Sequence, residues 1–133
     1  MTPQTLAPPL VVINYKVYPS TLGQQALALT RKLEGAAASY PEATVAICPS
    51  HAELGILAGQ TELPVLAQTS WGDDPGSGTG KVLVESLEDL GVAGSLINHA
   101  ECQVSREHAA KAVEKLNDAG LTSIVCTADE EAT

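Results

Sequence analysis

Five short apolar runs, separated by stretches of helical periodicity, constrain this chain more than any other feature. The runs are LVVIN, ATVAICP, PVLAQ, AGSLIN and LTSIVC. Each has strand length and is apolar enough to be covered on both faces. Between the first two lies STLGQQALALTRKLEGAAAS, where Leu22, Ala26, Leu29 and Leu33 recur at helical spacing and Ser20 is placed to cap the start. SHAELGILAG spaces Ser50 and Glu53 as a capping box. A loop of about a dozen residues, TSWGDDPGSGTG, leads to a helix in KVLVESLEDLG. SREHAAKAVEKLNDAG starts at Ser105, puts Ala109, Ala112, Val113 and Leu116 on one face and stops at Gly120.

The resulting order, βαβαβαβαβ, implies α/β architecture with parallel strands joined by right-handed helical crossovers. An open doubly wound sheet and part of a (β/α)8 barrel both satisfy it. In either, chemistry gathers at the carboxyl ends of the strands and in the loops that follow.

Composition narrows the function classes. The chain has 133 residues, one domain's worth, and a net charge of −9 from 16 acidic and 7 basic residues. It has no basic cluster of the kind that neutralises phosphates, so a nucleic-acid partner is not expected. No apolar run reaches the roughly 18 residues of a membrane span, and the opening MTPQTLAPP has neither the charged nor the apolar region of a signal peptide. Three cysteines, Cys48, Cys102 and Cys126, form no CxxC pair, which points to a reducing cytoplasm rather than a disulfide framework or a zinc ribbon.

Polar residues at the strand ends carry the candidate chemistry. Asn14 and Lys16 stand at i and i+2 and project to one side of the first strand's end. His99 and Glu101 follow the fourth strand in SLINHAEC, with Ser95, Ile97 and His99 expected on one face. A lysine, a histidine and a glutamate at one end of a parallel sheet can polarise a carbonyl and balance phosphate charge. Taken singly, each is ordinarily a solvated surface group.

Other features weigh less. GSGTGKV (residues 76–82) resembles a phosphate cradle at a helix start. It fails the P-loop pattern, because Pro75 stands where a glycine belongs and Val82 follows Lys81. His51 and His108 read as surface groups near helix starts. His99-x-x-Cys102 is at most half a metal site, and Cys126 beside His99 is at most a thiol–histidine pair. Trp71 is either a contact anchor or a partly covered ring. Asp129, Glu130 and Glu131 read as a solvated acidic tail.

Together, VVINYKVYP, GSLINHAEC and AQTSWGDDPGSGTGKVLVESLEDLGVAG resemble the first strand, fourth strand and third loop of the triosephosphate isomerase family, in its archaeal form. The likeness runs from about residue 10 to 128. It implies that residues 1–133 are a partial (β/α)-barrel domain, half a barrel or slightly more. The implied activity is cofactor-free interconversion of dihydroxyacetone phosphate and glyceraldehyde 3-phosphate. Lys16 would hold substrate and stabilise the enediolate, Asn14 would order Lys16, and His99 would act as a neutral electrophile. Glu101 would pair with Lys16 or order its loop. Thr79, at the tip of the long loop, would reach a neighbouring subunit, so that residues 69–80 would mediate a homo-oligomer. Ala100 and Cys102 depart from the family's usual serine and arginine or asparagine. A whole barrel takes at least about 200 residues, and the family's glutamate base and phosphate loops follow strands six to eight. The 133 residues alone are therefore expected to be inactive. The alternative reading is a non-catalytic phosphate-binding or assembly module with an open α/β sheet.

Overall fold

Alternating side chains on the first strand set the two faces of the fold. In the computed structural model, which describes residues 6–129 and 131, β1 (Leu10–Asn14) pairs in parallel with β2 (Thr44–Cys48), from Leu10↔Thr44 to Asn14↔Cys48. β3 is short (Leu66–Ala67) and pairs in parallel with β4 (Gly94–Ile97), which pairs in parallel with β5 (Thr122–Val125). A single parallel bridge, Ile47↔Val65, joins the two sets, and the Ile47 N–H donates to Pro64 O at 2.9 Å. Strand neighbours thus follow chain order. The reversal of order that creates a doubly wound sheet's switch point does not occur among the described strands.

Helices α1 (Gly23–Ala37), α2 (His51–Ala58), α3 (Val84–Leu90) and α4 (Arg106–Asp118) fill the crossovers. Ala26, Leu54, Leu57, Leu87, Ala112 and Leu116 pack with Ile47, Val65, Ala67 and Ile97 into the main core. On the opposite face of the strands, Ala46, Cys48, Leu66 and Leu96 form a second cluster with Leu10, Val12 and Ile124. This division follows from the period of two in a strand. It explains why the runs of β2, β3 and β4 lack polar alternation, since residues on both of their faces are buried, whereas β1 and β5 stay half-exposed.

The helix boundaries correct several expectations. α1 starts at Gly23 and not at Ser20, because Pro19–Thr21 forms a separate 3₁₀ turn. Leu22 lies outside the helix and is exposed, while Ala26, Leu29 and Leu33 do pack inward. Ser50 occupies the N-cap of α2, yet its hydroxyl donates to the Glu53 carboxylate instead of capping. The other Glu53 oxygen accepts the Gly23 N–H at 3.0 Å. The expected capping box is therefore a tie between the starts of two helices. At α4 the expectation holds: Ser105 accepts the His108 N–H at 3.1 Å, and Gly120 follows the end at φ 72°.

Candidate active site

Tyr15 decides where its neighbours go. It is 1% exposed, its N–H donates to Cys48 O at 2.9 Å, and its hydroxyl meets Thr30 Oγ1 at 2.8 Å in the main core. With Tyr15 turned inward beneath α1, Asn14 and Lys16 face the other way, into a cavity of about 180 Å³. Val17, Gln68, His99, Glu101 and Cys102 complete its lining. Asn14, Lys16, His99 and Glu101 are thus brought together at the carboxyl ends of β1 and β4.

Lys16 has a left-handed backbone, φ 51°, which costs a side chain of its size roughly 1–3 kcal/mol. Both ends of the residue are held. Its N–H donates to Asn14 Oδ1 at 2.9 Å, and its carbonyl accepts Gln68 Nε2 at 2.9 Å. Gln68 also reaches Asn14 Oδ1 at 3.3 Å. The Lys16 ammonium donates to Glu101 Oε1 at 2.9 Å. This bond is the main reason that the Glu101 carboxyl lies below the ordinary carboxylate value and Lys16 above the ordinary lysine value. An ammonium has three N–H donors, and among the described residues Glu101 takes one. The other two have no side-chain or backbone acceptor among the described residues.

His99 is oriented by the same segment. The Glu101 N–H donates to His99 Nδ1 at 3.1 Å, so a neutral ring carries its proton on Nε2 and can donate from there. Its position corrects the expectation that it shares a face with Ile97. Ile97 lies in the main core and His99 in the cavity, because Asn98 between them is left-handed, φ 61°.

The long loop behaves as two parts. At its base the Trp71 N–H donates to Val82 O at 2.8 Å, and the ring lies edge-on to His108 with centroids 5.9 Å apart. Trp71 is therefore a partly covered ring within its own chain, and His108 is half-buried beneath it instead of on the surface. Gly72 passes so close to α4 that a Cβ would lie 2.6 Å from the Lys111 carbonyl. The tip is largely exposed, and Thr79 on it does not join the cavity. Lys81 binds Asp73 at 2.6 Å, and α3 begins only at Val84. The glycine-rich stretch therefore does not open a helix as a phosphate cradle does.

The remaining candidates separate from the site. Burial pushes the Cys126 thiol up, the opposite of nucleophile activation, and pushes Cys48 up to about 12. His51 is exposed at the start of α2, and Cys102 is exposed at the cavity. Among the described residues no three His, Cys, Asp or Glu side chains are grouped to hold a metal, and no helix is long and apolar enough to cross a membrane. Asp129 and Glu131 are exposed, while Glu130 and residues 1–5 lie outside the described residues. Gln68, Asn98 and Tyr15 were not singled out from the sequence. Gln68 carried a usable signal, a polar residue closing an apolar run at the carboxyl end of a strand.

Residues 9–133 match the family model described as triosephosphate isomerase. The chain belongs to the triosephosphate isomerase family. It is 35% identical over 123 residues to the triosephosphate isomerase of Methanothermus fervidus, covering 92% of this chain and 55% of that one. It is 34% identical to that of Methanothermobacter thermautotrophicus (90% and 52% covered) and 31% identical to that of Sulfolobus acidocaldarius (91% and 52%). The chain spans about half the length of the curated relatives it matches. The archaeal character expected from its motifs is matched by these relatives.

Proposed function

We propose that this chain forms the first arc of a (β/α) barrel and supplies the charge-stabilising half of a triose-phosphate isomerase site. The observation that carries this reading is that Lys16, with two donors to spare among the described residues, and His99, whose Nδ1 is taken so that Nε2 is left to donate, line one cavity at the strand ends. Strand neighbours in chain order support the barrel arc over an open switched sheet.

In this proposal the phosphate of dihydroxyacetone phosphate or glyceraldehyde 3-phosphate pairs with Lys16. The substrate carbonyl accepts a hydrogen bond from His99 Nε2. As the carbon-bound proton leaves, negative charge grows on the two oxygens of the enediolate, and the fixed ammonium and imidazole stabilise it more than the ground state. Asn14 and Glu101 hold these two groups in place. Glu101 is committed to Lys16 and does not serve as the carbon base; the family resemblance puts that carboxylate after a sixth strand. No cofactor takes part. Thr79 and the exposed loop tip reach a second copy, making the protein at least a dimer. The reaction joins the two triose phosphates of glycolysis and gluconeogenesis.

A coupled isomerase assay on a version extended to eight strands tests the proposal, run beside the 133-residue chain verified by mass. The extended version should turn over at about 1 s⁻¹ or faster. The 133-residue chain should stay at the background of its Lys16→Ala variant. An extended version without turnover would end the isomerase reading. Light scattering that gives a monomer mass at high concentration would end the oligomer proposal.

A further inference from the structure

β4 ends at Ile97, which is buried in the helix-side core. If strand alternation continued, the residue two places on would face the same core. His99 lines the cavity of Lys16 instead. The register breaks at Asn98, whose φ of 61° is a conformation that asparagine tolerates better than most side chains. Its side chain is also used on both sides of the turn. Nδ2 donates to Cys126 O at 3.1 Å, at the end of β5, and Oδ1 accepts the Val104 N–H at 3.0 Å, just before α4. Within the turn, the Cys102 N–H donates to His99 O at 2.7 Å and the Glu101 N–H to His99 Nδ1 at 3.1 Å.

We propose that Asn98 is the positioning residue for His99: its left-handed backbone, pinned by bonds to Cys126 and Val104, swings the imidazole out of the helix-side register and aims Nε2 at the cavity. The kinetic consequence rests on the isomerase reading, while the ring's orientation does not. The test therefore uses both readouts on the version extended to eight strands. Long-range ¹H–¹⁵N spectra of the histidine rings near neutral pH, with His99 assigned by its loss in His99→Gln, should show the Nε2–H tautomer. Asn98→Gly keeps the left-handed turn at little steric cost. It should keep the tautomer and hold kcat within about tenfold of wild type.

Asn98→Val carries a β-branched side chain that disfavours positive φ and removes both bonds. It should lose the tautomer preference and about a hundredfold in kcat, with KM nearly unchanged. If the valine variant does not fold by circular dichroism, Asn98→Ala serves in its place. Wild-type tautomer and kcat in the valine or alanine variant would overturn the proposal. So would a glycine variant as damaged as the valine one, since handedness would then not be what aims the ring. If the wild-type protein and the glycine variant show the Nε2–H tautomer and the valine or alanine variant loses it, but no isomerase activity is found, the positioning role stands and the isomerase reading falls.

Discussion

Lys115 on α4 and Lys16 after β1 both meet glutamates, at 2.7 Å from Glu85 and 2.9 Å from Glu101. In both, the bond to the carboxylate is the main cause that raises the lysine above its ordinary value. Lys115, however, also donates to Asp73 O at 2.8 Å and to Asp74 Oδ1 at 3.2 Å. Its three donors are thereby used, and it stitches the base of the long loop to α3 and α4. Lys16 spends one donor among the described residues and sits on a strained backbone at a concave surface. Charge pairing alone thus does not mark a functional lysine. What sets the proposed substrate lysine apart is its unspent donors at the carboxyl end of a parallel strand.

The contrast can be broken most directly with the two alanine variants of the version extended to eight strands. Lys16→Ala is expected to lower kcat/KM by about a hundredfold or more with little change in melting temperature. Lys115→Ala is expected to leave kcat/KM within about threefold of wild type. Steady-state kinetics on folded protein decides the matter, and equal damage in both variants removes the distinction. His99→Ala should lose about as much as Lys16→Ala, mainly in kcat.

Gly72→Ala probes the stitched region by geometry. A Cβ 2.6 Å from the Lys111 backbone must push the loop away from α4, at a cost of about 1–3 kcal/mol in a urea titration. An unchanged midpoint would show that the loop is not fastened there. Lys115→Ala should lower the melting temperature by a smaller amount, a few degrees in a thermal scan, and an unchanged scan would mean that its three bonds are solvated ornaments of the surface.

The smallest effect concerns pH. Glu101 titrates below its ordinary value and Lys16 above its own, each chiefly through the bond they share. A lowered carboxylate stabilises the fold above its unfolded value of about 4.3 and loses that contribution as pH falls through the folded value. A raised lysine stabilises below its unfolded value of about 10.4 and loses that contribution as pH rises through the folded value. Glu101 is 62% exposed, so the contribution is small. Glu101→Gln should therefore lower stability slightly and evenly from about pH 6 to 9, with the gap closing toward about pH 3. A gap that widens in acid would contradict the pairing.

Much of the molecule was legible before its structure. The five runs are strands, the four periodic stretches are helices, and Asn14, Lys16, His99 and Glu101 meet at strand ends. Period two and period 3.6 are properties of neighbouring residues, so they can be read from a short window of sequence. The errors have one kind of cause. Ser20 and Ser50 look like caps locally, but Pro19–Thr21 turns separately and Glu53 is claimed by Gly23, thirty residues away in sequence. His108 looks like a surface group until Trp71, from the long loop, lies against it.

What the amino-acid order determined by itself is the alternation of strands and helices and the polar residues that close the strands. Tertiary structure decided how those residues are aimed. Lys16 is left-handed because Asn14 and Gln68 hold its N–H and carbonyl, and Gln68 arrives from β3. His99 enters the cavity because Asn98 turns against the strand's period while bonded to Cys126 and Val104. A left-handed residue carries a local energetic cost, and it persists only where groups distant in sequence hydrogen-bond it in place.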